Sequence, residues 1–160
     1  MGRNKLDTKF LAITAMVAAV YAVLTLAIAP LSFSMVQVRF SEMLMLLAFI
    51  DKKYASGLIL GCFIANCFSP FGIMDIVFGT SCTAAAMWCV TKYAKTLFGA
   101  SLWVVFCNAF IGIELYLFGS PLLLSMAMVA LGEFLSVSCC GVALFKVLLK
   151  NRILTEKMKI

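Results

Sequence analysis

The chain has 160 residues, of which 64% are hydrophobic and only 12% are charged. Soluble domains are about half apolar, so a soluble fold of this composition would leave a surface that aggregates. The sequence therefore predicts a single integral membrane domain over residues 1–160, with the bilayer as its solvent.

Six apolar stretches, separated by polar or turn-forming residues, predict six membrane-spanning helices. No small-residue cleavage site followed by a soluble body marks the first stretch as a signal peptide, so we interpret it as a retained span. The second and third stretches are short for a full crossing, which indicates a covered cavity beside residues 31–41 and 68–75. The expected fold is an all-α membrane bundle with spans at about 10–29, 38–50, 54–68, 74–90, 100–118 and 122–149.

The distribution of basic residues predicts the orientation of the bundle. Six crossings place both termini on one side, and cytoplasmic loops carry the excess of lysine and arginine. With the amino terminus in the cytoplasm, Arg39 is the one basic residue of 13 that falls outside. Both termini are therefore predicted to be cytoplasmic. The net charge of +6 is an orientation signal, and no nucleic-acid partner is expected.

The sequence lacks the residues that several chemical functions require. The seven cysteines all lie in apolar runs without a CxxC spacing, and the chain has no histidine, so we interpret the cysteines as packing residues and expect no metal site. The nucleotide-binding pattern GxxxxGK[ST] is absent from these residues. The sequence gives no indication of an enzyme, a catalytic residue or a cofactor.

Five charged residues fall in the outer half of the predicted bundle. Charged side chains at membrane depth are costly and usually mark functional sites or internal ion pairs. Four of the five are acidic, so a cavity among them would be net acidic and would suit a ligand with N–H donors or a positive charge. They are Arg39, Glu42, Asp75, Glu114 and Glu133.

Each of these residues also has a purely structural interpretation. Arg39 and Glu42 are three positions apart, so on a helix they share a face and can form an internal ion pair. Glu114 can lie among lipid headgroups. Glu133 is harder to explain this way, because the last span offers no cation before Lys146. The amide of Asn66 can bond either a neighbouring helix or a ligand.

Aromatic and small residues add two weaker indications. Phe33, Phe71 and Phe78 can stack on a planar ligand, although aromatic residues in membrane proteins often only pack. Small residues recur along the first span, where they allow another helix to approach closely. This stripe is either ordinary packing or a docking face for a partner subunit, and it consists of Ala12, Ala15, Ala19 and Ala22.

Six runs, most of them in the first predicted outer loop and in spans three and four, match a known family: residues 29–33, 36–42, 61–66, 69–72, 75–79 and 132–133. In these runs the sequence resembles the QueT family. The resemblance extends over essentially the whole chain, most specifically over residues 29–86. Two positions depart from the family's pattern: Ser34-Met35 stands where a Gly-Pro turn is expected, and Ala48 replaces an expected proline. The first change affects the geometry of the outer loop more than the assignment to the family.

The resemblance implies a substrate-binding S component of an energy-coupling factor (ECF) transporter, an ABC-type importer. The implied cargo is a queuosine precursor, a 7-deazaguanine-type base, and the implied partners are a transmembrane T component and two ATPase subunits in the bacterial plasma membrane. The alanine stripe would then face the T component. Residues and resemblance together give eight candidate substrate-binding residues: Gln37, Arg39, Glu42, Asn66, Asp75, Phe78, Glu114 and Glu133.

The candidate residues suit such a cargo, but their individual roles stay open. The N–H donors of a deazaguanine suit Glu133 or Glu42, and Arg39 or Asn66 can meet its ring carbonyl. An aminomethyl precursor also carries a positive charge, which suits an acidic pocket.

Three other functions are compatible with the same residues. The chain can be an S component for another base or a vitamin. It can be a stand-alone dimeric secondary transporter that uses Glu133 as a proton site, or a scaffold protein that transports nothing.

Overall fold

A computed structural model describes residues 8–32, 38–151 and 156. These residues form six principal helices and one short helix, Ala29–Ser32, with no strand among them. The all-α membrane bundle expected from the sequence is thereby confirmed. We label the principal helices α1 (Thr8–Ala27), α2 (Phe40–Ile50), α3 (Tyr54–Asn66), α4 (Ile73–Tyr93), α5 (Leu97–Leu117) and α6 (Leu122–Lys150).

Four of these helices are long and apolar enough to cross a membrane, namely α1, α4, α5 and α6. Helix α3 has 13 residues, about 20 Å of α-helix, and is shorter than the roughly 30 Å hydrocarbon core. Helix α2 begins as a 3₁₀ helix over Phe40–Leu46 and continues as an α-helix over Leu47–Ile50. Since a 3₁₀ helix rises about 2.0 Å per residue instead of 1.5 Å, this start gives a short segment additional length.

Two of the long helices depart from regular α-geometry within the bundle. Helix α5 tightens to a 3₁₀ turn at Ala109–Ile111. Helix α6 widens to a π-helix over Phe134–Gly141, which begins directly after Glu133. Such wide turns occur frequently at functional sites, so this irregularity draws attention to the middle of α6.

Helices α1 and α3 pack closely against each other, and glycine makes the approach possible. A Cβ atom added at Gly61 would lie 2.7 Å from the Cβ of Tyr21 and 2.9 Å from the carbonyl oxygen of Ala18. Real Cβ atoms do not approach other atoms that closely, so a larger residue at Gly61 would push α1 away. This contact fixes the position of Tyr21 in the interior.

The burial pattern is that of a membrane protein. Large apolar side chains such as Leu123, Ile73 and Val147 are more than 70% exposed on the outside, where lipid would cover them. The interior has an apolar core that includes Met45 and Leu58. It also buries charged and amide side chains that soluble proteins rarely bury, and these are concentrated in one part of the bundle.

Candidate functional site

The buried charged and amide side chains, together with Tyr21, meet at one end of the bundle. They come from the carboxyl-terminal halves of α1, α3 and α5 and from the amino-terminal halves of α2, α4 and α6. Alternate helices run in opposite directions, so these six half-helices share an end, and hydrogen bonds connect most of them directly. We call this group the polar cluster, and it consists of Tyr21, Arg39, Glu42, Asn66, Asp75, Asn108, Glu114 and Glu133, all at most 1% exposed.

Arg39 forms an ion pair with Asp75 at this end of the bundle. Its Nη2 atom lies 3.3 Å from Oδ2 and 3.4 Å from Oδ1 of the carboxylate. Its Nε atom donates to the carbonyl oxygen of Ser32 at 3.1 Å. The guanidinium therefore ties the short helix Ala29–Ser32 to the start of α4. The Arg39–Glu42 pair considered from their spacing is not formed, because the arginine is directed to α4.

Glu42 is held instead by two neutral donors. The hydroxyl of Tyr21 donates to Oε1 at 2.5 Å, and the amide of Asn108 donates to Oε2 at 3.2 Å. Both oxygen atoms of this buried carboxylate therefore accept a hydrogen bond. The arrangement joins α1, α2 and α5 and leaves Glu42 satisfied without a cation.

Asn66 connects the end of α3 to the start of α4. Its Nδ2 atom donates to the backbone oxygen of Asp75 at 3.0 Å. Gly79 allows this contact, since a Cβ there would lie 2.6 Å from Nδ2 of Asn66 and 2.7 Å from Oδ1 of Asp75. The amide of Asn66 thus bonds a neighbouring helix through its nitrogen, while its oxygen has no partner among the described residues.

The polar cluster contains an excess of buried acceptors that lack donors. Within the described part of the chain, neither carboxylate oxygen of Glu133 or of Glu114 has a hydrogen-bond partner, and the side-chain oxygens of Asn66 and Asn108 have none either. Buried polar groups in proteins are normally paired, so six such atoms in one cluster require an explanation. A ligand that supplies several N–H groups or a positive charge would satisfy them.

Comparison of the amino-acid sequence with known proteins identifies its family. The model of a family described as QueT transporter matches residues 11–150. The chain belongs to the QueT transporter family. It is also 30% identical to the queuosine precursor transporter QueT of Lactococcus lactis subsp. cremoris (strain MG1363), in an alignment that covers 77% of this chain and 82% of that protein. No solved structure gives a significant match.

Family membership establishes the general class of the protein. It is a transport protein and not an enzyme, as expected from the sequence. With its apolar helices, it is a multi-pass protein of the cell membrane. The polar cluster is therefore a candidate substrate site of a QueT-family transporter.

The structure brings together six of the eight candidate binding residues in the polar cluster. Phe78 is half-buried on α4 and is not part of the cluster. Gln37 lies outside the described residues, as does Phe33, one of the three phenylalanines considered for stacking. The second, Phe71, packs on Phe118 with their ring centroids 5.3 Å apart. The remaining six are Arg39, Glu42, Asn66, Asp75, Glu114 and Glu133.

The predicted docking stripe on α1 is only partly at the surface of this QueT-family protein. Ala12, Ala15 and Ala19 are exposed, whereas Ala22 is 6% exposed and packs in the core. The face of α1 that packs on α3 is the adjacent one, which contains Ala18. The role of the stripe as a partner surface stays a prediction.

Sequence reasoning missed two members of the polar cluster, Tyr21 and Asn108. The sequence contains a signal for Asn108, because an amide within an apolar span, like that of Asn66, indicates a buried polar contact. The sequence signal for Tyr21 is weaker, because tyrosine also occurs at membrane interfaces. Only the packing of α1 on α3 shows that its hydroxyl is directed to Glu42.

Proposed function

We propose that this protein is the substrate-binding subunit of an ECF-type importer and that its cargo is a queuosine precursor, a 7-deazaguanine-type base. The observation that carries the proposal is the set of six donor-free acceptor atoms buried in the polar cluster. A deazaguanine presents ring and amino N–H donors along one edge, which is the complement of such a set. The name of the Lactococcus relative agrees with this cargo.

The proposal includes partner subunits, because the resemblance to the QueT family implies an energy-coupling factor transporter. The chain contains no GxxxxGK[ST] loop with which to bind and hydrolyse ATP. We infer that a transmembrane T component and two ATPase subunits supply the energy. The exposed alanines of α1 are the proposed contact with the T component, because small residues allow close helix packing.

Calorimetry on the purified protein in detergent tests the cargo. We expect 7-aminomethyl-7-deazaguanine to bind tightly, and Glu133→Gln to weaken binding. Loss of a hydrogen bond to a charged group costs about 1.5–3 kcal/mol, which is roughly a 10- to 150-fold increase in Kd. Glu156→Gln is the matched control, because Glu156 is exposed and outside the bundle. Well-folded protein that binds no deazaguanine would contradict the proposed cargo.

Uptake in cells tests the energy source separately. We expect cells to accumulate the labelled base only when this chain, a T component and both ATPases are produced together. Uptake that continues without the ATPases would refute the importer assignment and favour a stand-alone secondary transporter.

A further inference from the structure

The spans contain more acids than one cation can neutralise. Over residues 10–50, 54–91 and 96–145, Arg39 is the only basic residue. The same segments contain four acidic residues, and all four are at most 1% exposed. If every acid were ionised, the polar cluster would have a net charge of −3, and burial of unpaired charge is strongly unfavourable.

The contacts indicate which acids can be ionised before a ligand binds. Asp75 is paired with Arg39, and Glu42 accepts hydrogen bonds from Tyr21 and Asn108. Each of these two carboxylates therefore accepts hydrogen bonds from neighbouring side chains. Glu133 and Glu114 accept none among the described residues, and Glu133 is completely buried.

Among the described residues, the charged groups that interact with Glu133 are one acid and one cation. Glu42, on α2, is a like charge, and Arg39, which precedes α2, is the only opposite one. Arg39 is already engaged by Asp75. From α5, the amide of Asn108 faces Glu133 but donates to Glu42. Glu114, the one acid of α5, faces Asp75, which is a like charge, and Arg39.

We propose that Glu133 holds a proton before a ligand binds and releases it when a cationic ligand enters the polar cluster. In this step the carboxyl O–H bond breaks, the proton passes to water, and the carboxylate accepts a hydrogen bond from the ligand's ammonium group. The charge of the site is unchanged, because one cation replaces another. The inference rests on the proposed function, since it assigns Glu133 the role of selecting the cationic form of that cargo.

Two consequences distinguish this exchange from simple ion pairing. Binding that releases one proton becomes tighter as the pH rises, by up to about tenfold per pH unit. A neutral ligand of the same shape cannot replace the proton. The site should therefore favour the aminomethyl deazaguanine over the nitrile form, and binding of the nitrile form should release no proton.

Calorimetry at one pH, in buffers of different ionisation enthalpy, measures how many protons are released when the ligand binds. For the aminomethyl base at pH 7, we expect release of about one proton per ligand from the wild-type protein and from Glu156→Gln, and almost none from Glu133→Gln. Tight binding without proton release by the wild type would overturn this inference and leave the proposed cargo intact. Loss of the release in Glu114→Gln, with retention in Glu133→Gln, would show that the inference assigns the proton to the wrong acid. No binding at all would instead contradict the proposed function.

Infrared spectroscopy tests the protonated state without any ligand. We expect the ligand-free wild-type protein to show a protonated-carboxyl C=O band that Glu133→Gln lacks and Glu156→Gln keeps. Identical bands in wild type and Glu133→Gln would overturn the inference, whichever ligand the protein binds. This measurement also remains decisive if Glu133→Gln does not bind the base.

Discussion

Removal of either partner of the Arg39–Asp75 ion pair should destabilise the protein, and removal of Asp75 should cost more. Their charged atoms are 3.3 Å apart, and both side chains are at most 1% exposed. At that distance and an effective dielectric constant of about 20, Coulomb attraction is about 5 kcal/mol. Asp75→Asn leaves a guanidinium that cannot lose its proton, so we expect a loss of about 3–5 kcal/mol.

Arg39→Met leaves a carboxyl that can take up a proton, so its cost is smaller, about 1–3 kcal/mol. The double variant removes both members of the pair, so neither of them is left without its partner. Addition of Arg39→Met to Asp75→Asn should therefore restore stability, and the two changes should be strongly non-additive.

Thermal unfolding in detergent, followed by the helical circular dichroism signal, measures these differences. A loss of 3 kcal/mol corresponds to a decrease in Tm of roughly 6–12 °C for a chain of this size. Lys95→Met and Glu156→Gln are matched controls at exposed positions and should change Tm little. A double variant whose loss equals the sum of the single losses would refute the reasoning, because the two residues would then not be coupled.

Three further changes test other contacts. Tyr21→Phe removes the donor to Oε1 of Glu42 and should lower the free energy of unfolding by about 1–3 kcal/mol in a denaturant titration; no change would show that this hydrogen bond is not formed. Gly61→Ala should cost about 1–3 kcal/mol in the same assay, because its Cβ would lie 2.7 Å from the Cβ of Tyr21, and equal stability would contradict the close approach of α1 and α3. Ala15→Leu should leave ligand binding unchanged and weaken co-purification with the T component; unchanged co-purification would argue against the alanine stripe as the contact.

Helix content and membrane class could be predicted from the sequence because both depend on local pattern. Apolar runs, their lengths and the residues that interrupt them are sufficient to predict an all-α membrane bundle, and the short second and third stretches correspond to the shorter α2 and α3. The 3₁₀ start of α2 and the π-helix after Glu133 were not predictable in this way. They depend on how each helix fits its neighbours, and hydropathy does not record that fit.

The chemical character of the candidate site was also evident from the sequence, whereas its pairings were not. Charged residues are rare in spans, so four acids and one arginine are sufficient to indicate an acidic site. Spacing along the chain left open whether Arg39 pairs with Glu42 or serves a ligand. Packing instead places Asp75, from another helix, against the guanidinium of Arg39. Glu42 accepts hydrogen bonds from Tyr21 and Asn108.

The sequence by itself therefore determined that the protein lies in a lipid bilayer, where its helices are and which charged residues its spans contain. These properties follow from composition and local pattern. Only the tertiary structure decided which acids have partners and which, like Glu133, have none among the described residues. The reason is physical: a hydrogen bond requires two atoms within about 3 Å, and in a helical bundle those atoms come from segments far apart in the chain.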